Sequence, residues 1–241
     1  MPHLLNPHRF GGGLAAFTSL LSSHGAIWAG LMQDPSGSTL TALIGSNGSY
    51  VGTPTLGASG PSAVLPSAAQ FNGSSQRATA PVNFSSYNQV TFTFWLWWDT
   101  FADNDAMCLA APVPYSGTGV RGLIVNPNAT GVSSRFQAAM SEPTSVFRDR
   151  VCTRHSTGAW HHWGIRFNRA GSTVSWLLDG ATPSGDVANL SGSMTSTFTG
   201  TSLSIMSYGA GYYGAGRMAG LAVFPSLLSD AQIQAQRSAS M

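Results

Sequence analysis

The sequence contains no lysine, and Glu142 is its sole glutamate. All 11 basic side chains are arginines, and charged residues make up 8% of the chain, against about a quarter in ordinary globular proteins. The formal net charge of +2 and the lack of any basic run exclude nucleic acid as the expected partner. A surface this poor in charge resists association weakly, so coverage by copies of the same chain or by other partners is expected. Cys108 and Cys152 stand far apart with no C-x-x-C, which argues against a zinc site and leaves buried thiols or a cross-strand disulfide. No apolar run approaches the length of a membrane span, so no membrane insertion is expected. Leu14 to Leu21 is only a short apolar run after Arg9, and Pro2, Pro7 and Gly11 to Gly13 fit a secretion signal poorly.

What is present is apolar, aromatic and rich in turns. Apolar residues are 43% of 241 residues, with 7 Trp, 12 Phe, 28 Gly and 13 Pro. That predicts one sizeable core built from many short strands. The clearest segment runs from Gly158 to Gly180. Trp160, His162, Gly164 and Arg166 alternate with His161, Trp163, Ile165 and Phe167, the two-residue period of a strand. Asn168 to Gly171 supplies a turn, with Gly171 expected to take positive φ, and Ser172 to Asp179 returns as a second strand. Val90 to Asp99 is the other strong strand: Val90, Phe92, Phe94, Leu96 and Trp98 share one face, and Thr91, Thr93, Trp95 and Trp97 the other. Both faces are apolar over part of its length, which predicts a strand inside stacked layers. Further strands are expected around 26–31, 106–111, 122–125, 135–139, 146–154 and 203–206. A short helix is expected over Leu14 to Leu21, a surface loop over Thr53 to Pro66, and a C-terminal helix starting at Ser229-Asp230.

These segments carry a family resemblance. Trp160-His161-His162 opening a strand and Asp179-Gly180 closing the next resemble laminin-G-like, concanavalin-A-like jelly-roll domains. Phe71 to Pro81, with Asn72 in the usual Asp place, the strand with Trp95, and Gly216-Arg217 followed by Leu228-Ser229-Asp230 resemble the same family in the same order. The resemblance implies an all-β, antiparallel jelly-roll sandwich over residues 14–241, preceded by a short arm over residues 1–13. It also makes a structural role for the His pair the expected one. Adjacent strand residues point to opposite faces, so His161 and His162 are poorly placed to share a metal.

Chemistry is sparse. A glycosidase needs two carboxylates flanking the scissile bond. The family's glucanases carry E-x-D-x-x-E, which is absent here, and there is no G-x-S-x-G. No catalytic residue is therefore assigned, and the chain is expected not to be an enzyme. Asp103 and Asp105 are the candidates for a calcium site, and no cofactor is expected. Tyr208, Tyr212, Tyr213 and Tyr115 are candidates for stacking on saccharide rings; a subunit contact is the alternative for the Gly/Tyr loop. Leu4, Leu5, Arg9 and Phe10 are anchor-type residues for docking into an assembly, and Asn6 to Phe10 resembles N-termini of bacteriophage tail proteins. The expected function is thus a non-catalytic virion structural protein of a bacteriophage (minor tail, fibre or head decoration), with host-surface glycans as a further partner. The alternative is a secreted, lectin-like carbohydrate-binding module.

Overall fold

The computed structural model describes residues 8–100, 106–112, 121–129, 135–142, 147–190, 194 and 196–241; for 8–12, 128–129, 147 and 189–190 it describes the backbone only. Among the described residues, seventeen strands form two antiparallel sheets, and two helices accompany them. The first sheet holds β1 (Trp28–Gly30), β3 (Ala42–Ile44), β5 (Thr55–Ser59), β6 (Ser67–Asn72), β8 (Gln89–Trp98), β13 (Trp160–Asn168), β14 (Thr173–Leu178) and β17 (Ala215–Phe224). The second holds β2 (Thr39–Leu40), β4 (Gly48–Val51), β7 (Arg77–Ala80), β9 (Leu109–Ala111), β10 (Leu123–Ala129), β11 (Arg135–Ser141), β12 (Phe147–Thr153), β15 (Val187–Leu190) and β16 (Leu203–Ile205). The all-β sandwich expected from the short-strand pattern is what forms.

The two aromatic strands lie side by side at the centre of the first sheet. β13 pairs with β8 from Trp160↔Trp97 to Asn168↔Gln89, and with β14 on its other side. Phe92, Phe94, Leu96 and Trp98 of β8 join Trp163, Ile165 and Phe167 of β13 between the sheets. Phe136 of β11 reaches across and stacks on Trp163 at 3.9 Å and 13°. Each such ring taken out of water contributes about 1.5–3 kcal/mol. Cys108 and Cys152 are both buried, and both are free thiols.

The outer face of the first sheet is buried as well, which explains its doubly apolar strand. Phe17 and Leu21 of α1 (His8–Ser23) and Leu228 and Ile233 at α2 (Asp230–Ala239) pack there with Trp95, Leu177, Ala222 and Phe224. The two threonines on that face are not orphaned. Thr91 Oγ1 donates to the Ser226 carbonyl at 2.6 Å, and Thr93 Oγ1 to Gln236 Oε1 at 2.7 Å. Helix α2 begins as expected at Ser229, in a capping box closed by Gln232. It seats closely because β13 carries Gly164: a Cβ there would lie 2.5 Å from Ile233 Cγ2.

Three expectations are corrected. Helix α1 starts at His8, not Leu14, so Gly11 to Gly13, assigned above to the arm, lie within a helix. The stretch 53–66 contains β5, which pairs with β6 from Thr55↔Gln70 to Ser59↔Ser67; its small side chains suit an edge strand. In the central hairpin the positive φ falls on Ser172 (φ 50), not on Gly171. A Cβ at Gly171 would sit 2.5 Å from Asn168 Nδ2, and the Asn168 amide oxygen accepts the Gly171 N–H at 3.0 Å.

Candidate functional site

The hairpin of β13 and β14 ends in a cluster of polar side chains. Asp179, at φ 52, follows β14 and turns its carboxylate back towards β13. Its Oδ1 accepts the His162 backbone N–H at 2.9 Å, and its Oδ2 lies 2.7 Å from His161 Nδ1. His161 Nε2 in turn lies 2.8 Å from Ser156 Oγ. The contacts follow the order of a Ser–His–Asp relay, which spacing in the sequence does not suggest. Ser156, however, stands exposed on the loop before β13, outside the groove that Asp179 lines. The chain of bonds ties that loop to the end of the hairpin. His162 lies on the opposite face, edge-on to Trp95 at 5.1 Å. Burial, with Arg237 adding to it, pushes its imidazole down to about 3, so it is neutral at ordinary pH. Burial pushes His155 down to about 4. Burial alone would raise Asp179, but the hydrogen bonds from His161 and the His162 N–H outweigh it and hold the carboxyl below its ordinary value.

On the outer face, Asp179 borders an open groove of about 430 Å³. Its walls are Trp95 and Trp160 of the sheet, Pro61 and Ser62 of the loop before β6, and Arg237 and Met241 at the end of α2. Trp160 is half-buried and braced edge-on by Trp97, with ring centroids 6.1 Å apart. Trp97 is fixed by Arg217, whose guanidinium carbon lies 4.8 Å from the ring centroid, and by donating its Nε1–H to Asp99 at 2.9 Å. Trp95 donates to Ser240 Oγ at 2.9 Å. The groove therefore combines a rigid indole wall with one carboxylate and one guanidinium. An indole face suits the C–H face of a sugar ring, while the charged groups can bond its hydroxyls. A larger hollow of about 640 Å³ is formed mainly by turns around Ser36, Gly37, Thr53 and Pro54; Tyr50, its aromatic wall, already donates its hydroxyl to Asp34 at 2.8 Å.

The expected tyrosines are only partly brought together. Tyr208 and Tyr212 meet edge to face at 5.9 Å, and Tyr212 is 55% exposed at φ 50. Tyr208 packs on a small cluster of Met107, Ala110, Ile124 and Ala139, on the side of the second sheet away from the main core. Tyr213 turns elsewhere and accepts a long hydrogen bond from Arg77 at 3.4 Å. Tyr115, Asp103 and Asp105 lie outside the described residues, as do Leu4 and Leu5. Arg9 and Phe10 belong to α1 by backbone, but their side chains are not described. Among the described residues no group of three or more His, Cys, Asp or Glu is placed to hold a metal. No described helix is long and apolar enough to cross a membrane.

No protein-family model matches the chain. No curated protein matches it either. Solved structures do. Domain 4 of an extracellular arabinanase from Geobacillus stearothermophilus, in complex with arabinotriose, is similar with a TM-score of 0.62 at 14% identity, covering 88% of this chain and 98% of that one. A Trypanosoma rangeli sialidase, captured with a difluorosialic acid, is similar with a TM-score of 0.61 at 13% identity, over 94% of this chain. The receptor-binding domain of a botulinum neurotoxin C/D mosaic serotype reaches 0.62 at 11% identity, over 87% of this chain. This chain spans 37% of the sialidase chain and 50% of the neurotoxin chain. The likeness is one of fold. It shows that the chain is a β-sandwich of the jelly-roll type.

Proposed function

We propose that this chain is a non-catalytic, saccharide-binding β-sandwich module. The observation that carries the reading is the Trp160 groove: a braced indole wall with Asp179 and Arg237 on one concave surface. The neighbours with arabinotriose and a sialic acid derivative support a saccharide as the class of ligand. The exposed Tyr212 ring is a second place where a sugar could stack, and it is tested alongside. Screening the purified chain on a glycan array, followed by titration of the best ligand, tests the reading. Saturable binding weakened at least about tenfold by Trp160→Ala (about 1.4 kcal/mol) supports it. Loss with Tyr212→Ala alone moves the site to the tyrosine loop, and no binding to any glycan refutes the reading.

For the carrier of this module we propose the surface of a bacteriophage virion: a minor tail, fibre or head-decoration protein in contact with copies of itself and with other virion proteins. The charge-poor composition favours it, because so weakly solvated a surface suits a covered, assembled protein. The Asn6 to Phe10 opening adds the resemblance to tail proteins. On this reading host-surface glycans are the ligands, and no cofactor or nucleic acid is required. A secreted lectin-like protein is the other carrier. Incorporation of the full chain into particles separates the two; deleting residues 1–13, which also removes the first six residues of α1, is expected to leave the sandwich folded and to abolish incorporation if the arm docks. Incorporation of the truncated chain removes the docking role.

A further inference from the structure

The groove holds a cation, Arg237, that shares it with Asp179 but forms no ion pair within 4.0 Å among the described residues. Arg237 stands in the last turn of α2, half-buried. Its Nε is shut off from solvent and has no hydrogen-bond acceptor, and no ion pair within 4.0 Å engages its guanidinium among the described residues. Elsewhere on this sheet Arg166 meets Asp230 at 2.6 Å and the Leu228 carbonyl, and Arg217 meets the face of Trp97; Arg169, just after β13, meets Glu142, Ser141 and Ser196. A position near the C-terminus of a helix explains why a cation is tolerated there. It places no anion in contact with the guanidinium.

The remaining walls say what could complete it. Asp179 already accepts two hydrogen bonds, from His161 and from the His162 backbone, so it is fixed in place. Trp95 has spent its N–H on Ser240, and Ser62 donates its hydroxyl to the Ser240 carbonyl at 2.6 Å. The groove therefore offers one unspent cation at the helix end, an acceptor at the hairpin end, and the Trp160 indole between the sheet and the loop.

We propose that the saccharide this groove selects is an acidic one, with its carboxylate received by Arg237, a ring hydroxyl by Asp179 and its C–H face by Trp160. This rests on the saccharide-binding reading and names the class of sugar. A planar guanidinium and a carboxylate match in shape and charge, and the pair is stronger than any bond a neutral hydroxyl could make there. A neutral sugar would leave the cation unanswered.

The test compares trigalacturonate with the same trisaccharide after its carboxyls are reduced to alcohols. Both are titrated calorimetrically into the full chain and into Arg237→Gln, with Arg135→Gln as a surface-charge control. The acid is expected to bind the wild type and the control at least about tenfold more tightly than the reduced form. Arg237→Gln is expected to bind both forms alike, at the affinity of the reduced one. Raised salt should weaken the acid alone. Equal binding of both forms by the wild type overturns the acidic preference and leaves saccharide binding standing. A preference that survives Arg237→Gln overturns the role of Arg237. If neither form binds and the array is also blank, the underlying reading fails with it. Should Arg237→Gln not fold, the wild-type comparison of the two trisaccharides decides the matter.

Discussion

His161 Nδ1 lies 2.7 Å from Asp179 Oδ2, while the other oxygen of the same carboxylate accepts the His162 backbone N–H at 2.9 Å. One side chain thus secures two consecutive residues of the central strand whose side chains face opposite ways. Asp179→Ala strips both acceptors and leaves a buried N–H unanswered, at a cost of about 1–3 kcal/mol. Urea unfolding of the variant should show that loss as a lower midpoint with an unchanged slope.

Ser156 completes the order of contacts of a nucleophile relay, and the non-catalytic reading makes a sharp statement about it. Fluorophosphonate probes should leave Ser156 unlabelled, and Ser156→Ala should change stability by no more than about 0.5 kcal/mol. Covalent labelling at Ser156, abolished by His161→Gln, would overturn that reading.

The sole glutamate is structural. Glu142 pairs with Arg169, whose side chain is wholly buried and also donates to the carbonyls of Ser141 and Ser196 at 2.9 and 2.7 Å. Glu142→Gln leaves a buried cation without its counter-charge and should cost about 3 kcal/mol. Arg169→Met should cost less than Glu142→Gln, because it removes the charge that needs an answer. Chemical denaturation of both variants checks the ordering.

His162 and His155 are held neutral by burial, with folded values of about 3 and about 4. Between those values and the ordinary histidine value near 6.5 the unfolded chain binds more protons than the folded one. Stability therefore falls as pH drops from about 6.5, by about 1.4 kcal/mol per pH unit for each histidine. Asp179, held below its ordinary value, loses its contribution further into acid. Urea midpoints at about pH 7 and about pH 4.5 measure the fall, and His162→Gln should make it shallower.

Much of the sandwich was legible because alternation is a local signal. Phe92, Phe94, Leu96 and Trp98 could be assigned one face from parity alone, and Trp163, Ile165 and Phe167 likewise. The capping box at Ser229 and Gln232 is also local. The length of α1 was not legible, since three consecutive glycines disfavour a helix that packing of Phe17 and Leu21 nonetheless supports. The groove was hidden for another reason. Ser62, Trp95, Trp160, Asp179 and Arg237 come from distant segments and meet only once α2 lies across the first sheet. Parity did carry one clue: Trp160 falls on the face opposite Trp163, where a large ring has no place in the core between the sheets. The turn of Tyr213 towards Arg77 depends on β7 and the loop before β17 meeting, which no spacing reveals.

Saccharide binding at the groove is tested most directly by the indole N–H signals of the 7 tryptophans, followed by NMR while an acidic trisaccharide is titrated. The account predicts saturable shifts of Trp160 and Trp95, with Trp28 and Trp163 unmoved in the core. Saturable binding that leaves Trp160 and Trp95 unmoved, or no binding at all, would contradict it.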